Sequence, residues 1–174
     1  MNTEVMIDLE TLDTLPTTVV LSIGIVEFNL EKGVVDVDKG LCLYPDIQEQ
    51  IDVGRTISAS TLEWWMKQSD EARKSTFNVR RKSIHETCET IRDFFSFTDR
   101  PKAWGNGSVF DITIIENFMG YTKVPWKFWD IMDTRTLHRL HPFDKTKQGE
   151  IAHTALEDAI AQAERVCEVW PIKK

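Results

Sequence analysis

The sequence predicts a mixed α/β fold: a central sheet holding an antiparallel three-strand meander plus parallel strands, flanked by helices. Three observations predict it. The first 44 residues contain β-branched, apolar runs joined by tight connections. Capped segments with helical spacing follow. In the second half, strand-like and helix-like stretches alternate, as a sheet covered by helices requires.

Taken in order, Glu4 to Leu9 (E-V-M-I-D-L) reads as a short strand, and Val19 to Phe28 as a central strand. Glu31-Lys32-Gly33 makes a turn. Val34 to Tyr44 resumes as one strand, with Val35, Val37, Leu41 and Leu43 alternating around Gly40. Asp46 to Ser58 is polar and irregular and reads as a loop. Ser60 is the expected N-cap of a helix over Thr61 to Gln68, with Glu63 as its capping-box partner. Ser69 caps Asp70 to Phe77. Ser83 caps a third helix whose apolar positions Ile84, Cys88, Ile91 and Phe95 recur at helical spacing. Lys102 to Trp104 is a short strand, Gly105-Asn106-Gly107 a loop, and Phe110 to Tyr121 a helix. Trp126 to Met132 suits a final strand and Asp133 to His138 a short helix. Pro142 to Glu150 is a polar loop, and His153 to Val169, rich in Ala, Glu and Leu, is a helix.

Length and composition bound the function. The 174 residues, 41% hydrophobic and 28% charged, suit one domain over residues 1–174 with a core of its own and exclude a largely disordered chain. The longest apolar run, Val19 to Val26, is interrupted by Ser22 and Gly24. It falls well short of the roughly 18–20 residues that span a bilayer. No basic segment precedes an apolar one at the start, so no secretory signal and no membrane partner are expected. Three scattered cysteines (Cys42, Cys88, Cys167) read as reduced thiols in a cytoplasmic protein. The net charge of −7 argues against a basic nucleic-acid coat protein. It does not argue against a metal-dependent nuclease, because bound cations reverse the sign of an acidic site.

Three groups of residues carry candidate chemistry. Asp8 and Glu10 alternate with Ile7 and Leu9, so both carboxylates share one face of a strand. They are either a solvated edge or a pair that needs a cation between them. Asp111 opens a helix behind a loop with two glycines and is either a helix-end carboxylate or a ligand. His153 and Asp158 open the last helix. They are either cap-region residues or groups reaching one pocket.

Together these form D-x-E near the start, F-D after a Gly-Asn-Gly loop, and H-x-x-x-x-D near the end. M-I-D-L-E-T, W-G-N-G-S-V-F-D and H-T-A-L-E-D-A resemble the three motifs of the DEDDh 3′-to-5′ exonucleases, which have the ribonuclease H-like fold. The likeness covers nearly the whole chain. It is closest to the small exonucleases and exoribonucleases of phages and bacteria, where S-I-G (Ser22-Ile23-Gly24) and S-x-x-x-W-W (Ser60 to Trp65) also occur.

The resemblance implies hydrolysis of phosphodiester bonds from the 3′ end of single-stranded DNA or RNA, releasing nucleoside 5′-monophosphates. It implies that Asp8, Glu10, Asp111 and Asp158 hold two divalent cations, Mg²⁺ or Mn²⁺, and that His153 is the general base. Hard oxygen ligands suit those ions, and an ordinary histidine suits proton removal near neutral pH. It further assigns Thr11 and Leu12 to the terminal sugar and base. Phe110 is expected to contact substrate, and Trp65 to face the cleft and stack on a base. Trp64 then belongs to the core; the alternative is that Trp65 serves the core only.

The densest basic stretch, Arg73, Lys74, Arg80, Arg81 and Lys82, is read as a guide for phosphates. Trp126, Phe128 and Trp129 exceed what one strand needs and leave room for a homodimer face. Two other functions compete: a binding or adaptor protein that keeps the fold without turnover, and a hydrolase of dinucleotides or short oligonucleotides.

Overall fold

The computed structural model describes residues 3–96, 100–120, 123–142 and 154–170. Its six-stranded sheet is mixed. β1 (Glu4–Thr11) lies at the centre and pairs antiparallel with β2 (Val20–Asn29). On its other side β1 pairs parallel with β5 (Lys102–Gly105), and β5 pairs parallel with β6 (Ile131–Asp133). β3 (Val34–Val35) and β4 (Leu41–Leu43) both pair antiparallel with β2. The mixed sheet flanked by helices is the predicted fold class.

Alternation along β1 assigns its two faces. Val5, Ile7 and Leu9 pack with Ile23 and Ile25 of β2 against α4 (Ile84–Phe95) and α5 (Ser108–Met119). Met6 and β2 residues Val26 and Phe28 face Ala159, Ala163 and Val166 of α7 (Ala155–Val169) and Leu137 of α6 (Thr134–Leu140). Small alanines along α7 let it lie close on this face. Asp8 and Glu10 share the parity of Met6, so they project toward the α7 side.

Several elements differ from expectation. The strand expected over Val34 to Tyr44 is two short strands around a 3₁₀ turn at Val37–Lys39. The loop expected over Asp46 to Ser58 contains α1 (Ile47–Asp52), capped by Asp46. Its polarity is misleading, because Gln50 is fully buried. The Gln50 amide donates to the Val20 carbonyl and accepts from the Val20 N–H, both at 2.8 Å, as a neighbouring strand would.

The next helix, α2, runs Ala59–Met66 with Ser58 rather than Ser60 as its cap. α3 (Asp70–Phe77) and α4 begin at Ser69 and Ser83 as expected, and Ser83 forms a capping box with Glu86. α5 starts two residues before the predicted Phe110, which places Asp111 in its first turn. The strand expected over Trp126 to Met132 is a 3₁₀ turn at Phe128–Asp130 followed by the short β6. Trp126 is buried, whereas Phe128 and Trp129 are exposed and stack edge to face. No helix among the described residues is long and apolar enough to cross a membrane.

Candidate active site

β1 outruns its parallel neighbour. Its pairing with β5 ends at Met6 opposite Trp104, while β1 continues to Thr11. Asp8 and Glu10 lie on this overhang. In the antiparallel register Asp8 stands opposite Gly24 and Glu10 opposite Ser22. Paired residues point to the same face, so Gly24 leaves an empty place beside Asp8.

The backbone at the start of α7 fills that place. A Cβ on Gly24 would lie 2.1 Å from the Ala155 carbonyl oxygen, closer than atoms can approach. The glycine thereby lets α7 seat its first turn on the sheet. Thr154 caps the helix through the Glu157 N–H, and Asp158 follows on the next residue. Asp8, Glu10 and Asp158 consequently bring one carboxylate oxygen each to within 4.8 Å of one another.

Asp111 arrives from the other helical layer. It is 4% exposed, at the first turn of α5. Gly105 makes the approach possible, since a Cβ there would stand 3.2 Å from Asp111 Oδ2. Gly107, at φ 99°, turns the chain into the helix. The β5–α5 loop is tied to the start of α6: Asp133 Oδ2 accepts from the Ser108 N–H at 2.6 Å, and Thr134 donates to Asn106 Oδ1 at 2.9 Å.

The electrostatics are those of crowded, buried acids, with the Arg135 guanidinium acting on Asp111. Burial raises Asp8 well above the ordinary carboxylate range. Repulsion from Asp111, Glu10 and Asp158 adds to this, and a hydrogen bond from Gln162 opposes it. Burial, then Asp158 and Asp111, push Glu10 up to about 8. Burial pushes Asp111 up to about 7, against the Arg135 guanidinium and nearby backbone N–H groups. The first turns of α5 and α7 both meet this cluster, so their partial positive ends temper the repulsion without cancelling it. A divalent cation would be held by these acids, whose hard oxygen donors and crowding both fit such an ion.

The remaining expected site residues fall out differently. His153 lies outside the described residues; it directly precedes the Thr154 cap. Thr11 is buried and its hydroxyl donates to the Asp13 carbonyl at 2.8 Å. Leu12 is buried with Val19, Leu21 and Trp65. Phe110 is half-buried and packs on the core.

Trp65 does not face the cleft. It is 2% exposed, and its Nε1 donates to the Thr11 carbonyl at 2.9 Å. The two tryptophans exchange the expected roles, for Trp64 is the exposed one at 45%. A helix turns about 100° per residue, so adjacent residues cannot share a face.

The basic stretch is also partly internal. Arg81 donates to the carbonyls of Leu21, Pro45 and Thr76, and Arg73 to those of Met66 and Gln68. Arg81 thus braces the chain, whereas Arg73 sits at the surface, paired with Asp70. Sequence reasoning passed over Gln162 and Arg135. Gln162 was legible, since it falls one turn after Asp158. Arg135 carries no such signal, because the folding of β6 beside β5 is what brings it to Gly107 and within range of Asp111.

Comparison with known proteins agrees with this geometry. A family model described as the 3′-5′ exoribonuclease Rv2179c-like domain matches residues 3–170. The exodeoxyribonuclease of Enterobacteria phage T4 is 28% identical over 195 residues, covering 88% of this chain and 82% of that protein. Among solved structures, the nuclease domain of 3′hExo, a DEDDh family member, aligns over 97% of this chain and 91% of its own. Its TM-score is 0.58 at 12% identity. Exonuclease I in its apo form aligns with TM-score 0.67 and 14% identity over 97% of this chain. The cell-death related nuclease CRN-4 aligns with TM-score 0.62 and 12% identity over the same share. The chain spans 42% of that exonuclease I structure and 64% of CRN-4, so these likenesses concern the shared ribonuclease H-like fold. With the family match running nearly end to end, the chain belongs to the Rv2179c-like 3′-5′ exoribonuclease domains.

Proposed function

We propose that the chain removes nucleoside 5′-monophosphates one at a time from the 3′ end of single-stranded nucleic acid. The observation that carries this reading is the convergence of Asp8, Glu10 and Asp158 within 4.8 Å, with Asp111 repelling Asp8 and Glu10. Such a set is unfavourable alone and is relieved by cations.

Asp8, Glu10, Asp111 and Asp158 would hold two divalent cations, Mg²⁺ or Mn²⁺, which would supply an acidified water and charge stabilisation at the attacked phosphate and the leaving 3′-oxygen. His153, which directly precedes the Thr154 cap in sequence, takes the proton from the attacking water, work that suits an imidazole at neutral pH. The backbone of Thr11 and Leu12, held by Trp65 from beneath, borders the place for the terminal nucleotide, and Phe110 flanks it.

The family description names RNA, and the phage T4 relative is an exodeoxyribonuclease. Solved relatives carry a dA16 oligonucleotide or rAMP. These support a single-stranded 3′ end as substrate, and the sugar is ranked by experiment. The test is degradation of 5′-labelled RNA and DNA of one sequence with Mg²⁺ or Mn²⁺. A metal-dependent ladder shortening from the 3′ end is expected, and it vanishes in Asp8→Asn. No ladder on either polymer would overturn the reading. His153→Asn is expected to lower kcat by about 10²–10⁴-fold while leaving Mn²⁺ binding intact. For the homodimer, the exposed Phe128–Trp129 pair is the surface to probe by sedimentation.

A further inference from the structure

Gln162 stands four residues after Asp158, on the same side of α7. Its Nε2 donates to Asp8 Oδ1 at 2.7 Å, joining residues 154 apart in sequence. The residue is 6% exposed. Its Oε1 is buried and has no hydrogen-bond partner among the described residues.

A buried amide satisfied at one end only is costly for stability. Packing does not require it, since an apolar side chain of the same length would fill the space without the orphaned oxygen. Local rules are broken in this way mostly where function demands it. What the amide does achieve is clear from the geometry: it holds one oxygen of Asp8, the acid at the centre of the cluster, and leaves the second oxygen unclaimed by it. The platform is rigid, because Gly24 lets the start of α7 seat on the sheet directly beside Asp8.

We propose that Gln162 is a positioning residue of the metal centre, orienting Asp8 through Oδ1 so that its other oxygen serves the cations. One helix then supplies both a ligand, Asp158, and the group that aims a second ligand. A carboxylate free to rotate would spend part of its binding energy on being ordered, which is why groups behind metal ligands tune affinity.

The inference rests on the metal-dependent reading above, and its test separates the two. Mn²⁺ binding to the purified chain is measured by calorimetry for the wild type, Gln162→Met and Gln162→Glu. Met keeps the length and removes the donor. Glu keeps the shape and replaces the donor by an acceptor. Thermal unfolding without metal reports folding of each variant. Both are expected to bind Mn²⁺ about 10-fold more weakly. The Mg²⁺ concentration giving half-maximal rate should rise in parallel, with the rate at saturating Mg²⁺ retained within a few-fold. Wild-type affinity in either folded variant would overturn the proposal. A lowered melting temperature with unchanged metal affinity would do the same, since it marks a structural role only. A wild type that binds no Mn²⁺ would remove the metal-centre reading and this inference with it. If one variant fails to fold, the other decides.

Discussion

Asp8 is the residue on which most of the chemistry converges. It is raised by burial, repelled by three other acids and held by one amide. In the metal-free protein these repulsions oppose folding, whereas with cations they become ligand bonds. Asp8→Asn should therefore separate two properties that usually move together. Exonuclease activity should fall by well over the about 10–100-fold that losing a group behind a ligand costs. The metal-free melting temperature should rise, because Asn sits uncharged in the buried cluster without having to bind a proton. Activity assays and differential scanning calorimetry on the same preparation check both. A melting temperature lowered by the substitution would mean that Asp8 is held by favourable contacts rather than strained by unfavourable ones.

At the scale of elements, the site depends on how closely α7 meets β2. Gly24→Ala places a methyl group where the Ala155 carbonyl already sits. The helix must shift, at a typical overpacking cost of about 1–3 kcal/mol, and Asp158 shifts with it. Activity should fall by more than the loss of folded protein explains, as measured by rate per folded molecule in urea titrations. α2 offers the contrasting case. Trp65 is buried against Phe77 and braces the Thr11 carbonyl, so Trp65→Ala should destabilise the chain by about 3–5 kcal/mol. Trp64→Ala, at an exposed position, should change stability by less than about 1 kcal/mol. A reversed order in chemical denaturation would contradict the arrangement of this helix.

For the whole molecule, the acid cluster links stability to pH and to cations. Glu10 rises from 4.5 to about 8 and Asp111 from 3.8 to about 7 on folding. Each binds a proton in the folded state that the unfolded chain has already released. Their contribution to stability is present below the unfolded values and is lost as pH rises through the folded ones. The metal-free protein should therefore lose melting temperature steadily between about pH 4.5 and 8. Saturating Mg²⁺ should flatten that fall, since it binds the folded ionised acids and stabilises them by mass action. A melting temperature that is flat or climbing across this range without metal would contradict the electrostatics of the site.

The sequence by itself determined the mixed sheet-and-helix class and most of the element order, α1 and the split third strand excepted, the Ser69 and Ser83 caps, and the three motifs that name the acids. These are local matters: a cap, an apolar period or a D-x-E pair is written within a few adjacent residues. Only the tertiary structure decided that Trp65 rather than Trp64 is buried, since both orientations of α2 suit the same local pattern. Only it revealed that polar Gln50 completes a strand's hydrogen bonding and that Arg81 spends its charge on three carbonyls, because Val20 is 30 residues from Gln50, and Pro45 and Leu21 are 36 and 60 residues from Arg81. The site divides in the same manner. Its four acids were legible as motifs, but their meeting depends on two missing side chains, at Gly24 and Gly105, and on Gln162 reaching back to Asp8. A glycine's effect lies in what occupies the space it leaves, and that occupant comes from a distant part of the chain.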